Sequence, residues 1–111
     1  MTIVPFSGEL DIVRYPVFHQ AFAKVLELPR PVILDLMRVS RVDSTFLTEL
    51  LILVRRREAA GQPTVIAIAH PTVVRLITVA ELQYRLALTT SIAEAASLLE
   101  AIDSEAGALE A

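Results

Sequence analysis

An interior strand running straight into an amphipathic helix, between Val32 and Gly61, constrains this chain more than any other feature. Residues Val32 to Met37 are apolar except for Asp35. A run of that length suits a strand covered on both faces, as in a parallel sheet. Arg38 to Val42 read as the turn leading out of it. Asp43, Ser44 and Thr45 are helix-capping types, because a short side-chain oxygen can accept from the free N–H groups of the first turn. Beyond them, Leu47, Leu50, Leu51 and Val54 recur at the spacing of one buried helical face. The helix is expected to stop at Gly61, with Pro63 just beyond.

On a wheel of about 100° per residue, Thr45, Glu49, Ile52 and Arg56 fall opposite that buried face, with Phe46 and Leu53 on one flank. Thr45 is therefore expected to stand exposed at the head of the helix, above Ile52 and beside Phe46, with Ser44 turned inward. Asp43, Thr45, Phe46, Glu49, Ile52, Leu53 and Arg56 make a candidate docking surface. Arg41, just before it, reads either as a solvated charge or as a contact for a phosphate or an acidic partner.

The remaining chain supplies the same alternation. Thr2 to Ser7 reads as a strand, with Pro5 suited to an edge. Tyr15-Pro16 opens a helix with a stripe of Phe18, Ala21, Phe22 and Val25. Thr64 to Ala69 is a second buried strand. His70-Pro71 begins a short helix with Val73, Val74 and Ile77 inward, Leu86 to Leu88 is a short strand, and Ser91 with Glu94 forms a capping box. The order β-α-β-α-β-α-β-α predicts an α/β fold with a mixed or mostly parallel four-stranded sheet. At 111 residues this is one domain, spanning 1–102, followed by an acidic flexible tail over 103–111.

Composition narrows function. No apolar run reaches the roughly 18 residues that would cross a bilayer, so no membrane insertion is expected. The opening residues lack a signal-peptide pattern, which points to the cytoplasm. The absence of cysteine excludes disulfides, thiolate metal sites and a cysteine nucleophile. His19 and His70 have no carboxylate cluster at metal-ligand spacing. Ten basic and eight acidic residues up to Arg85 leave that segment at +2, and five acids follow it without a base. No basic stripe concentrates outside Arg55–Arg57, which reads as a solvated last helical turn, so nucleic acid is not expected as a partner. With three glycines there is no phosphate-binding loop, and no nucleophile elbow is present. The residues point to a non-catalytic binding module without a cofactor. A small-ligand or nucleotide sensor at the carboxyl ends of the strands is an analogy drawn from fold class alone.

Three stretches together resemble the STAS domain of bacterial anti-sigma factor antagonists: Gly8-Glu9-Leu10-Asp11; Val32–Leu36 with Val39 and Val42-Asp43-Ser44-Thr45; and Ala59-Ala60-Gly61 with the strand after it. The resemblance runs from about Thr2 to Leu99. It implies that Thr45, or less favourably Ser44, is phosphorylated by a partner that is both anti-sigma factor and serine/threonine kinase, and that phosphorylation breaks the complex. It also implies an alternative, a phosphorylation-independent STAS scaffold subunit of a transport or signalling assembly. Phe46 and Thr48 depart from the family's glycines after the acceptor. The family usually has another strand ahead of the one matching Thr2–Ser7, so that edge is expected to be open, available for a homodimer or a partner.

Overall fold

Four parallel strands pair side by side in their order along the chain. The computed structural model describes the backbone of residues 1–110 and the side chains of residues 1–104. The elements are β1 (Thr2–Leu10), a 3-10 turn (Ile12–Arg14), α1 (Tyr15–Leu26), β2 (Val32–Val42), α2 (Ser44–Ala59), β3 (Thr64–Ile68), α3 (Pro71–Val79), a second 3-10 turn (Leu82–Tyr84), β4 (Leu88–Thr89) and α4 (Ile92–Glu110). Strands added in one direction by right-handed crossovers place their connecting helices on one face of the sheet. Side chains from α1, α2 and α3 accordingly share the larger core with Val32, Leu34, Leu36, Ile66 and Ile68. The alternate residues Ile33, Val65 and Ala67 meet Ala95 and Leu99 of α4 on the other face. Covering on both faces explains why β3 is buried throughout.

The expected turn at Arg38–Val42 is instead strand. β2 continues to Val42 alongside β1. Two register shifts, between Pro5 and Ser7 and between Gly8 and Glu9, each place one extra residue in β2. Each extra residue shifts the in-out alternation, so the core-facing positions step from Leu36 to Val39 to Val42. A spacing of three looks like a turn when a strand's period of two is assumed. Gly8 supplies the positive φ (79°) at the second irregularity. β1 likewise extends past Ser7 to Leu10. β4 covers Leu88–Thr89 rather than Leu86–Leu88.

α1 starts at Tyr15-Pro16 and buries Phe18, Phe22 and Val25. α3 buries Val73 and Ile77, whereas Val74 is exposed. At α4 the Ser91 hydroxyl accepts from the Glu94 N–H (3.0 Å), while the Glu94 carboxylate turns to the Thr90 hydroxyl (3.0 Å) instead of closing the box. α4 is helical to Glu110; the expected acidic tail over 103–111 falls mainly on residues 105–111, whose side chains lie outside the described residues.

Arg57 corrects the reading of Arg55–Arg57 as solvated. Arg55 and Arg56 are exposed, but Arg57 has 0% of its surface exposed. Its Nη1 donates to the carbonyls of Val25 and Leu28 (both 2.8 Å), its Nη2 to that of Arg30, and its Nε to Thr64 Oγ1 (2.8 Å). The guanidinium thus ties the end of α1, the loop after it and the start of β3 to α2. A cation there meets carbonyls at a helix C-terminus, where the dipole favours it. Burial lowers its pKa, yet a guanidinium remains protonated. Behind Arg57, α2 ends in a Schellman motif: Gly61 N–H donates to Glu58 O and Gln62 N–H to Arg57 O (both 2.9 Å), with Gly61 at φ 75°.

Replacing Arg57 by methionine leaves the carbonyls of Leu28 and Arg30 without donors, while Val25 O keeps Leu28 N–H, so urea unfolding should show a loss of about 3 kcal/mol. Arg57→Lys should fall between, since an ammonium cannot span the planar fork. A methionine variant as stable as the wild type would contradict this role.

Candidate functional site at the head of α2

Asp43 sets the geometry of the site. It sits in extended conformation (φ −121°, ψ −178°) as the N-cap of α2. One carboxylate oxygen accepts from Phe46 N–H (3.0 Å) and the other from Ile12 N–H (2.8 Å). The first bond caps α2. The second ties it to the 3-10 turn after β1, which has its own cap in Asp11, accepting from Val13 N–H (3.1 Å). The turn that directly follows Gly8–Asp11 and the Asp43–Thr45 segment therefore meet at one carboxylate, through residues 31 positions apart.

The hydroxyls are arranged differently from the wheel. Ser44 is exposed and Thr45 is half-buried, the reverse of the expected order of exposure. The N–H groups of Ser44 and Thr45 have no acceptor among the described residues, as the first turn of a helix requires. Thr48 donates its hydroxyl back to Ser44 O (2.8 Å).

Phe46 and Leu53 are removed from the docking surface. Phe46 is 0% exposed and Leu53 4%. The wheel assumed that α2 touches only the sheet, but α1 also packs along its flank. Phe46 meets Phe18 and Phe22 with ring centroids 5.3 and 5.5 Å apart. This widens the buried arc to Phe46, Leu47, Leu50, Leu53, Val54 and Arg57. The aromatic cluster continues through Phe6 and Tyr15. Phe46 is thus a core anchor between α1 and α2, not a partner contact.

The remaining candidates stay at the surface. Ile52 is 45% exposed, Arg56 and Arg41 are exposed, and Glu49 is half-buried. Glu49 faces His19 of α1 (3.6 Å), whose ring stacks on Tyr15. A groove of about 220 Å³ runs between the two helices over Phe22, Leu26, Ile52 and Leu53, so Leu53 contributes floor rather than rim. On the other side of α2 a groove of about 250 Å³ begins at Ser44 and runs over Leu47, Leu51 and Ile52 toward Leu82. Leu51, expected inward, is only half-buried because it forms this second groove. Arg41, by contrast, faces a cleft toward α3. No group of three or more His, Asp or Glu side chains converges among the described residues. No helix among them is long and apolar enough to cross a membrane. The two apolar grooves flanking α2 were not legible from sequence; the signal available was the pair Leu51-Ile52, too apolar for a fully solvated face.

Comparisons with known proteins place this architecture. An anti-sigma factor antagonist from Mycobacterium paratuberculosis has a similar structure, with a TM-score of 0.78 at 24% identity, over 88% of this chain and 84% of that one. The anti-sigma factor antagonist SpoIIAA in its unphosphorylated form aligns with a TM-score of 0.62 at 22% identity, over 96% and 90%. A sulfate transporter family protein from Wolinella succinogenes gives 0.72 at 16% identity, over 93% and 87%. No curated protein matches the chain in sequence. The family described as "Mlab, STAS domain" matches residues 2–90, from β1 through β4 and the whole head of α2. The chain belongs to the STAS domain family.

Proposed function

We propose that this protein is a non-catalytic binding module of the anti-sigma factor antagonist type, switched by phosphorylation at Thr45. The partner in this reading is an anti-sigma factor that is also a serine/threonine kinase. The observation that carries it is the capped but open head of α2. Asp43 fixes the turn, Thr45 is half-buried rather than enclosed, and the N–H groups of Ser44 and Thr45 have no acceptor among the described residues. A phosphate there is tolerated by the fold, since free N–H groups and the dipole favour an anion. Its charge of about −2 would join that of Asp43 at the partner-facing surface. A partner fitted to an uncharged hydroxyl would then meet repulsion and a desolvation cost.

Ile52, Arg56 and the half-buried Glu49 lie on the outer side of the same helix, with Ser44 exposed at its head. A second reading keeps this surface but drops the switch: a scaffold subunit of a transport or signalling assembly. It is favoured by the apolar grooves on both sides of α2, and by the likeness to a sulfate transporter family protein. The two readings separate on purified variants and a candidate partner from the same organism. In the first, incubation with the kinase and ATP puts phosphate on Thr45, and Thr45→Glu weakens binding at least tenfold. In the second, Thr45→Glu binds nearly as well as the wild type, while Ile52→Asp weakens binding by a similar factor. Phosphate on Ser44 alone, or on neither residue, would overturn the first.

β1 is the outer strand of the sheet among the described residues. It carries no charge from Thr2 to Gly8 and exposes Ile3, so it lacks the charged side chains that usually protect an edge. We propose that this edge pairs with a second copy. Sedimentation should show concentration-dependent dimers that Ile3→Lys disperses; a wild type that stays monomeric across the range would count against pairing.

A further inference from the structure

Away from the head of α2, an open cleft of about 510 Å³ lies between the carboxyl ends of β1 and β2 and one side of α3. Thr72, Arg75, Leu76 and Val79 line it from α3. They recur at i, i+3, i+4 and i+7, a single helical stripe, distinct from the Val73 and Ile77 stripe that enters the core. β2 contributes Arg41 and Val42, and β1 contributes Glu9. The volume is within the range of small-molecule sites, which combine an apolar lining with a few polar groups.

The arginines of this cleft face solvent without a protein partner among the described residues. Neither Arg41 nor Arg75 forms an ion pair among the described residues. Neither donates a side-chain hydrogen bond there, in contrast to Arg57 with its four. Two guanidinium groups against one carboxylate leave the lining net positive. Val42, Leu76 and Val79 supply an aliphatic wall, and Val79 remains 72% exposed. We propose that this cleft binds a small amphipathic anion, with its aliphatic body along Val42, Leu76 and Val79 and its carboxylate or phosphate head held by Arg41 and Arg75. A guanidinium matches either head by paired N–H donors. Glu9, the one acidic side chain in the lining, opposes an anionic head, and the two guanidinium groups outweigh it. The occupied cleft would adjoin the partner surface, because Arg41 and Val42 run directly into Asp43.

The test is a two-dimensional amide NMR titration of the full chain with octanoate and with octyl phosphate, using octylammonium as the charge-reversed control. Saturable shifts at Ser40–Val42 and Thr72–Val79 with either anion are expected; the anion that saturates at lower concentration identifies the head group. The Arg41→Ala/Arg75→Ala double variant should retain the dispersed spectrum, as both side chains are exposed, and bind at least tenfold more weakly. Absence of saturable shifts with both anions would overturn the proposal. So would equal binding of octylammonium, or affinity unchanged in the double variant.

Discussion

The carboxylate of Asp43 holds the head of α2 and the segment after β1 in one arrangement. A helix N-terminus has N–H groups that need acceptors, and a short acidic side chain can supply one locally. Here it also reaches across to Ile12, an N–H brought near by the parallel pairing of β1 with β2. The two bulges matter to this meeting. They let β2 run on to Val42 beside Leu10, so that both strands end together and release their chains at the same corner. Ser44 and Thr45 are presented from a junction fixed on two sides, not from a free loop.

The far end of α2 is fixed by a different means. Arg57 brings a full charge into the protein with no carboxylate paired to it among the described residues, and carbonyl dipoles from three residues take that role. Between these ends the aromatic contacts of Phe46 with Phe18 and Phe22 lock α1 against α2. α2 is therefore restrained at its head, its flank and its tail. What it leaves at the surface is narrow: the first turn with Ser44 and the half-buried Thr45, Ile52 and Arg56, and the rims of two grooves. A rigid display suits recognition in which the chemical state of one hydroxyl decides the outcome, since little conformational entropy is left to absorb a mismatch.

Much of this was legible in the sequence, and the misreadings share a cause. The strand from Val32, the Asp43 cap, the stop at Gly61 and the β-α alternation all rest on local chemistry, and local chemistry is written in short stretches. The surface of α2 was less legible because a helical wheel knows only one burial direction. It put Phe46 and Leu53 on a flank and could not know that α1 would cover that flank. It also could not show that Arg57, one of three consecutive arginines, would turn inward to α1's last carbonyls, since that depends on residues 27 to 32 positions away. The period-two rule failed at Arg38–Val42 for a related reason: a bulge is defined by the neighbouring strand. The cleft lined by Arg41 and Arg75 joins residues from two separate β-α units, and no single window contains both.

The most direct test of how the site is held is amide hydrogen exchange in the wild type and in Asp43→Ala, followed residue by residue. If one carboxylate fixes both segments, Ile12 and Phe46 should lose protection together, while the amides of β3 keep theirs. Loss at Phe46 with Ile12 unchanged would mean that Asp43 is an ordinary helix cap, and that the corner presenting Thr45 is held by something else.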